Sequence, residues 1–410
     1  MRAAAIALAL FAPLPDAAQE PLRDTPPAGA DAPVESAPEV SAAEGRAALE
    51  RALSFLVAGQ REDGSWGQRF PDHVGDFGYG WDSYYGWQFA AHALACEALL
   101  RAPETPERRA ALARALEWLC ASELPVRGAD WDVDSTWAAL TGFVTCVAGA
   151  ADPRLADTPW PERLRRRGLE LYADLEARQT LDGGWAYYDD PPFTARPKWA
   201  TSFCTALVLP PLRRARQELG WPIRDEVIER AVEAVRRCAL PGGSFAYDYN
   251  VIPPSWTDAS YHNVKGALGR IQVCNWALRD AGVGWVTDER VREGLAAFFC
   301  EHRWLDVARM KPIPHESWYQ NSGYFYFFAH HYASHAIALL PAAERGTWRR
   351  KLRAQVIKTQ AADGSFSDYL SANYLVTAST SYAIMTLAAG LEHEGAAGAA
   401  DATGAGGGER

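Results

Sequence analysis

One turn recurs along this 410-residue chain and restricts its fold more than any other feature. It reads Gln60-Arg61-Glu62-Asp63-Gly64-Ser65-Trp66, returns as Gln179-Thr180-Leu181-Asp182-Gly183-Gly184-Trp185, and again as Gln360-Ala361-Ala362-Asp363-Gly364-Ser365-Phe366. A worn copy is Pro241-Gly242-Gly243-Ser244-Phe245. In each full copy the Asp-Gly step is a turn signal: the acid can bond its own backbone, and glycine tolerates the left-handed conformation. A turn repeated at long intervals marks a repeated supersecondary unit. Such units stack, because none can bury its apolar face alone.

The segments between the turns supply the unit. Residues 43–58 place Ala48, Leu49, Ala52, Leu53, Leu56 and Val57 at helical spacing and stop at Gly59, which predicts an amphipathic helix with a C-terminal glycine. Residues 82–100 predict a second helix, poor in charge and thinned by Ala90, Ala91, Ala93, Ala95 and Ala98. The same alternation of a charged helix and a small-residue helix pairs 106–122 with 135–150, 161–178 with 201–209, 225–240 with 261–280, 288–303 with 324–340, and 343–359 with 377–391. Ser135 is a candidate N-cap, and Pro210-Pro211 predicts a break or kink after Leu209. Six hairpins can stack as an open solenoid or as a ring. The ring is favoured, since small residues let the thin helices close around a tight inner circle and neither terminal pair looks like a polar cap. The expected fold is all-α, a closed α/α toroid of about six helical hairpins, an (α/α)6 barrel, spanning residues 44–391.

Composition narrows the partners. The formal net charge of -10 comes without a long basic run, which argues against nucleic acid or an anionic membrane surface. Arg2, the apolar run 3–11 and Ala17-Ala18 resemble a secretory signal peptide over residues 1–18, so the expected location is the periplasm, cell envelope or exterior. Residues 19–43 form an Ala/Pro-rich spacer expected to be disordered, as is the Gly/Ala-rich tail 392–410. No other run reaches the length of a membrane span. The seven cysteines are scattered singly inside apolar patterns; they read as buried packing residues, the alternative being one or two disulfides formed after export. No stable membrane span and no nucleic-acid partner are expected, and a protein partner is left unidentified.

The order of Gln, Asp-Gly and Trp or Phe resembles the QW-type repeat of the squalene and oxidosqualene cyclases, whose superfamily also holds the protein prenyltransferase β subunits. The resemblance covers most of residues 44–391. It implies an α/α toroid in which Gln and Trp staple helices together, the amide satisfying orphan carbonyls at a helix end and the indole supplying stacking area. Asp63, Asp182 and Asp363 are then turn residues rather than catalysts. Asp130-Trp131-Asp132-Val133-Asp134-Ser135-Thr136 resembles the D-x-D-D-T acid motif of the same cyclases. Asp132 and Asp134 match its first two acids and Thr136 its threonine, while Ser135 stands where the third acid should be. The resemblance implies Asp134 as proton donor with Asp132 beside it. The competing reading has Asp134 capping an inner helix. Two departures count against close kinship: there is no room for the cyclases' second helical domain, and no Asp-x-Cys provides the prenyltransferase zinc ligands.

In a ring, the loops leading into the inner helices build the mouth. Trp81 and Tyr84 stand there in the first inner segment, Trp131 in the acid motif, Asp258, Tyr261 and His262 before the fourth, and Tyr324 and His331 in the fifth. His331 and His335 are one helical turn apart, yet the glutamate of a zinc-protease motif is absent, so neither a metal nor a cofactor is expected. Aromatic rings with carboxylates suit two unlike ligands, since π faces stabilise a carbocation and rings also stack on sugars, where paired acids cleave glycosides. Three functions follow as expectations: a toroid binding an apolar isoprenoid-like ligand with acid-initiated cyclase chemistry, a carbohydrate-acting or carbohydrate-binding barrel, and a non-catalytic scaffold. Whether the chain is an enzyme is left open at this point.

Overall fold

The structure is a computed structural model that describes residues 40–67, 81–124, 135–187, 199–249, 260–313, 315–369 and 374–404. Among them are thirteen helices: α1 Ala42–Ala58, α2 Trp81–Arg101, α3 Pro106–Ala121, α4 Thr136–Ala150, α5 Trp160–Arg178, α6 Ser202–Gln217, α7 Asp225–Arg237, α8 Leu268–Asp280, α9 Asp288–Cys300, α10 Arg303–Ala308, α11 Phe325–Leu339, α12 Ala342–Ile357 and α13 Tyr374–Gly404. Two-residue strands β1 (Ala200–Thr201) and β2 (Asp248–Tyr249) pair antiparallel where the chain approaches α6.

The alternation of charged and thin helices sorts them into two layers. Helices α2, α4, α6, α8, α11 and α13 pack each on the next, and α13 returns to α2, which closes the inner ring. Helices α3, α5, α7, α9 and α12 each lie mainly on the inner helix that precedes them, α2, α4, α6, α8 and α11, and α1 lies on α13, so each outer helix covers the inner helix of the neighbouring hairpin. Leu53, Leu116, Leu164 and Leu175 of the outer layer are fully buried, each such side chain worth about 1.5–3 kcal/mol. They meet inner faces made of Ala93, Ala95, Ala138, Ala333 and Ala336, which are also buried. Helices α8 and α11 approach closely at Gly269, where a Cβ would lie 3.0 Å from that of Ala329.

The repeated turn is the staple between hairpins. Gln60 Nε2 donates to Gly64 O of its own turn and to Ala111 O in α3; Gln179 does the same to Gly183 O and Val227 O in α7; Gln360 to Gly364 O and Ala48 O in α1. The third bond joins the last turn to the first helix. The amide thus reaches the next outer helix, not an orphan carbonyl of its own helix end. That orphan is served by the indole, since Trp66 Nε1 donates to Leu56 O and Trp185 Nε1 to Leu175 O, both at 2.7 Å. Asp63 and Asp363 accept from the backbone and hydroxyl of Ser65 and Ser365, so these acids shape their turns. Arg–Glu pairs repeat the staple on the outside, with Arg163 on Glu117, Arg224 on Glu176 and Arg292 on Glu344 at 2.7–2.8 Å.

Four local expectations are corrected. Helix α6 runs through Pro210-Pro211 to Gln217; the two missing N–H donors are outweighed by packing of Leu207, Val208, Leu209 and Leu212, all at most 2% exposed. Ahead of α8 the chain makes two 3-10 turns, Ser260–His262 and Val264–Gly266, because Asn263 caps Lys265 N and arrests the helix until Leu268. Ser135 is not a side-chain cap: it has helical dihedrals, and its hydroxyl accepts from Arg178 Nη1. Helix α13 extends past Leu391 to Gly404. The described cysteines form no disulfide; five are buried and Cys300 is exposed.

Candidate functional site

The inner helices run parallel, so their first turns share one end of the ring. Trp137 in α4, Phe203 in α6 and Phe325 in α11 meet there with Tyr187 and Tyr247, which follow the second full turn and the worn one. Ring centroids lie 6.2 Å apart for Trp137–Tyr187, 5.1 Å for Phe203–Tyr247 and 5.2 Å for Phe203–Phe325, the spacing of packed aromatic pairs. The Tyr247 hydroxyl donates to that of Tyr187 at 3.2 Å. One layer deeper, Phe328 touches Phe203, Tyr332 and Tyr382 at 6.2, 4.6 and 6.1 Å. Phe203, Phe325, Phe328, Tyr332 and Tyr382 are all at most 9% exposed. Because α6 and α11 are not neighbours in the ring, their contact crosses its centre. The described residues at the mouth therefore form an aromatic floor across the middle of the ring.

Beneath the floor lies Arg270 of α8, 3% exposed, its guanidinium 5.3 Å from the Tyr247 ring and bonded to Phe245 O and Tyr261 O. Burial lowers its pKa to about 10, so it remains a cation at neutral pH. His262 Nδ1 accepts from Tyr247 N at 3.1 Å, and burial followed by the Arg270 charge lowers its pKa to about 4. His262 is thus a neutral positioning group for Tyr247. Tyr261, half-buried, stacks edge-on against Tyr247 at 6.0 Å.

The lip is the segment between α10 and α11. Its Tyr324 hydroxyl lies 2.9 Å from His315 Nε2, and His315 Nδ1 lies 2.7 Å from Gln320 O. A carbonyl only accepts, so Nδ1 carries the proton and Nε2 accepts from Tyr324. Met310, His315, Tyr319 and Gln320 have φ between 55° and 64°, and they are the non-glycine residues at positive φ among those described. A bulky residue held there costs of order 1–3 kcal/mol and such positions gather at functional sites. The segment holds Trp318 at 67% and Ile313 at 61% exposure. It is tied across the mouth by Lys265 Nζ to the Tyr319 hydroxyl and by the Tyr369 hydroxyl to Pro312 O.

Of the residues singled out in the sequence, Tyr261, His262 and Tyr324 come together at this mouth. Tyr84 is 2% exposed in a small cluster with Trp87, Tyr369 and Leu375, and Trp81 opens α2. Asp132, Asp134, Trp131 and Asp258 lie outside the described residues. His331 is elsewhere: six residues into α11, about 9 Å along the axis, it lies beyond the aromatic floor with Tyr332 and His335. Among the described residues, no cluster of three His, Cys, Asp or Glu side chains could hold a metal, and no helix is long and apolar enough to cross a membrane.

Sequence reading missed Asp368. Its position is two residues after the turn aromatic Phe366, the register that gives Tyr187 after Trp185 and Tyr247 after Phe245. The acid is 2% exposed, accepts from Ser379 Oγ at 2.8 Å and Phe327 N at 3.4 Å, and receives Met310 N on its carbonyl at 2.7 Å. Burial raises its pKa to about 7 against those bonds. The offset from the turn was the signal that could have found it.

No protein-family profile and no curated protein sequence matches the chain. Solved structures do. The GH76A α-1,6-mannanase from Salegentibacter sp. HEL1_6 matches at TM-score 0.53 and 12% identity over 85% of this chain and 98% of its own. The Lin0763 protein from Listeria innocua matches at 0.53 and 13% over 86% and 97%. A type II terpene cyclase, MstE from Scytonema, matches at 0.49 and 13% over 86% and 99%. This chain is an α/α toroid. At such identities the likeness to the mannanase and to the Listeria protein shows the fold, which is the one that the turn repeats and the resemblance to the cyclases implied.

Proposed function

We propose that the toroid acts on a carbohydrate chain laid across the mouth. The observation that carries this reading is the aromatic floor with its hydroxyl-bearing edge, Tyr187 and Tyr247. The floor closes the middle of the ring with phenol and phenyl rings, and the lip is held in a costly backbone conformation that presents Trp318. Rings with hydroxyls at their edges match the alternating apolar faces and hydroxyl edges of sugars, and a scaffold ring has no need of a strained lip. The mannanase of the same fold is inactive when two consecutive aspartates are replaced, so carboxylates are the groups to seek, and on this reading the triple-acid segment before α4 supplies them. On this reading Asp134 is the general acid and Asp132 its partner. Export follows as part of the proposal from Arg2 and the apolar run behind it; a mature N-terminus near Gln19 in the secreted fraction tests it.

The deciding experiment incubates the full chain with linear glycans, α-1,6-mannan among them, and measures new reducing ends. Asp134→Asn and Asp132→Asn are expected to lower turnover by about 10²–10⁴ at unchanged Tm. No reducing ends with any glycan, together with conversion of a polyprenyl substrate, would place the chain with the cyclases instead. Loss of Tm in Asp134→Asn would assign that acid to helix capping.

A further inference from the structure

Further along the ring axis from the mouth a cavity opens, lined by the middle and C-terminal parts of five inner helices. We infer that this cavity, of about 230 Å³, binds one neutral pyranose unit on Trp276, with Tyr332, His331 and His335 meeting its hydroxyls. The site shares Tyr332 with the lower layer of the floor, but it does not rest on the reading given to the mouth.

Size comes first. Sites for drug-sized ligands span about 300–1,000 Å³, so this one suits a single small ring. Shape follows from the rings: Trp276 lies 4.4 Å from His335 and 5.5 Å from Tyr332, an apolar wall broad enough for the C–H face of a sugar. Charge then sets the class. Arg101, Arg213 and Arg214 line the cavity, but each faces a carboxylate, Glu97 at 3.4 Å, Asp280 at 2.7 Å and Glu218 at 3.0 Å. A charged ligand would find no unmatched opposite charge. Burial lowers the His335 pKa to about 3 and pulls that of His331 down as well, so both imidazoles are neutral and each offers one donor and one acceptor. Hydroxyls have the same double capacity.

What demands a ligand is the unmet hydrogen bonding. His331 is 6% exposed, lines the cavity, and has no partner on Nδ1. Tyr332, 5% exposed, and the half-buried His335 line the same cavity and offer it a hydroxyl and a second imidazole. A buried polar atom without a partner costs about 1–3 kcal/mol, and a ligand hydroxyl bonded to His331 Nδ1 would recover it.

Saturation-transfer NMR on the full chain tests the inference, with the methyl glycosides of mannose, glucose, galactose and N-acetylglucosamine as probes and α-1,6-mannobiose as the arm for a glycan end. The expected result is transfer to at least one methyl glycoside at millimolar concentration, at least five-fold weaker in Tyr332→Phe and in His335→Gln, and unchanged in the mouth variant Tyr187→Phe. With the disaccharide, saturation of one terminal ring alone would identify a chain end as the ligand; equal saturation of free glycoside only would identify the monosaccharide. Absence of transfer in the unmodified chain, or equal transfer in Tyr332→Phe and His335→Gln when both keep the parent Tm, overturns it. Binding here without glycan cleavage would leave this site standing and remove the proposed function of the mouth.

Discussion

A Cβ added at Gly364 would sit 2.5 Å from Arg51 O in a residue whose φ is +93°. Backbone cannot retreat as a side-chain tip can, so Gly364→Ala is expected to cost about 2–4 kcal/mol. Gly243 in the worn copy has the same φ sign, but its nearest neighbour is Arg290 Nη1 at 3.3 Å; there only the left-handed backbone is charged, about 1–2 kcal/mol. Urea melts of the two variants should rank them in that order, and equal losses would contradict the stapling account. Asp368 sets a pH dependence at the same scale. Its folded pKa is raised above the unfolded value, so the stability it contributes is complete below about 4 and is lost as pH rises through about 7. Relative to Asp368→Asn, the parent chain should therefore lose a few kcal/mol, roughly 1.4 for each pH unit of the rise, between pH 4 and pH 8. A constant difference across that range would show that the carboxyl stays ionised throughout.

Elements decide how much a sequence discloses. The hairpins were legible because helical period and the small-versus-charged contrast are local, and because three turns repeat nearly verbatim. The floor of the mouth was not, since Trp137, Tyr187, Phe203, Tyr247 and Phe325 each come from a different segment and meet only when the ring closes. His331 shows the converse: it is close to Tyr324 along the chain, yet six residues of helix place it about 9 Å further along the axis, on the wall of another cavity. Pro210-Pro211 looked decisive locally and was overridden by packing on both sides of α6. The lip between α10 and α11 was legible as a cluster of aromatics, but its left-handed backbone was not. That strain is testable. Gln320 sits at φ 55° with its side chain exposed, so Gln320→Gly should stabilise by about 0.5–1 kcal/mol, whereas Gln320→Val should destabilise by at least as much. Like signs for the two in thermal melts would remove the strained lip from the account of the mouth.

For the molecule as a whole, closure is the property from which the rest follows. An open solenoid has two ends, and loss of a terminal unit trims it while the remainder survives. Here the Gln360 amide reaches Ala48 O, Gly45 packs against Arg353 and Leu391, and α13 lies on both α1 and α2. The ring has no end to trim, and joining its ends should be harmless. A circular permutant that links Leu391 to Ala42 through a short glycine-serine segment, and opens the chain at Gly282 where a Cβ would meet nothing, keeps every inter-helix contact named above. It is expected to fold with the parent helix content and to unfold in one transition. Deleting residues 42–67 with α1 should instead abolish that transition altogether, because it strips the cover from α13 and the staple from Gln360 at once. A deletion variant that kept a cooperative melt with five hairpins' worth of helix would mean that the hairpins are stabilised as in a solenoid, and that the contact between α13 and α2 is a consequence of curvature rather than a condition of folding.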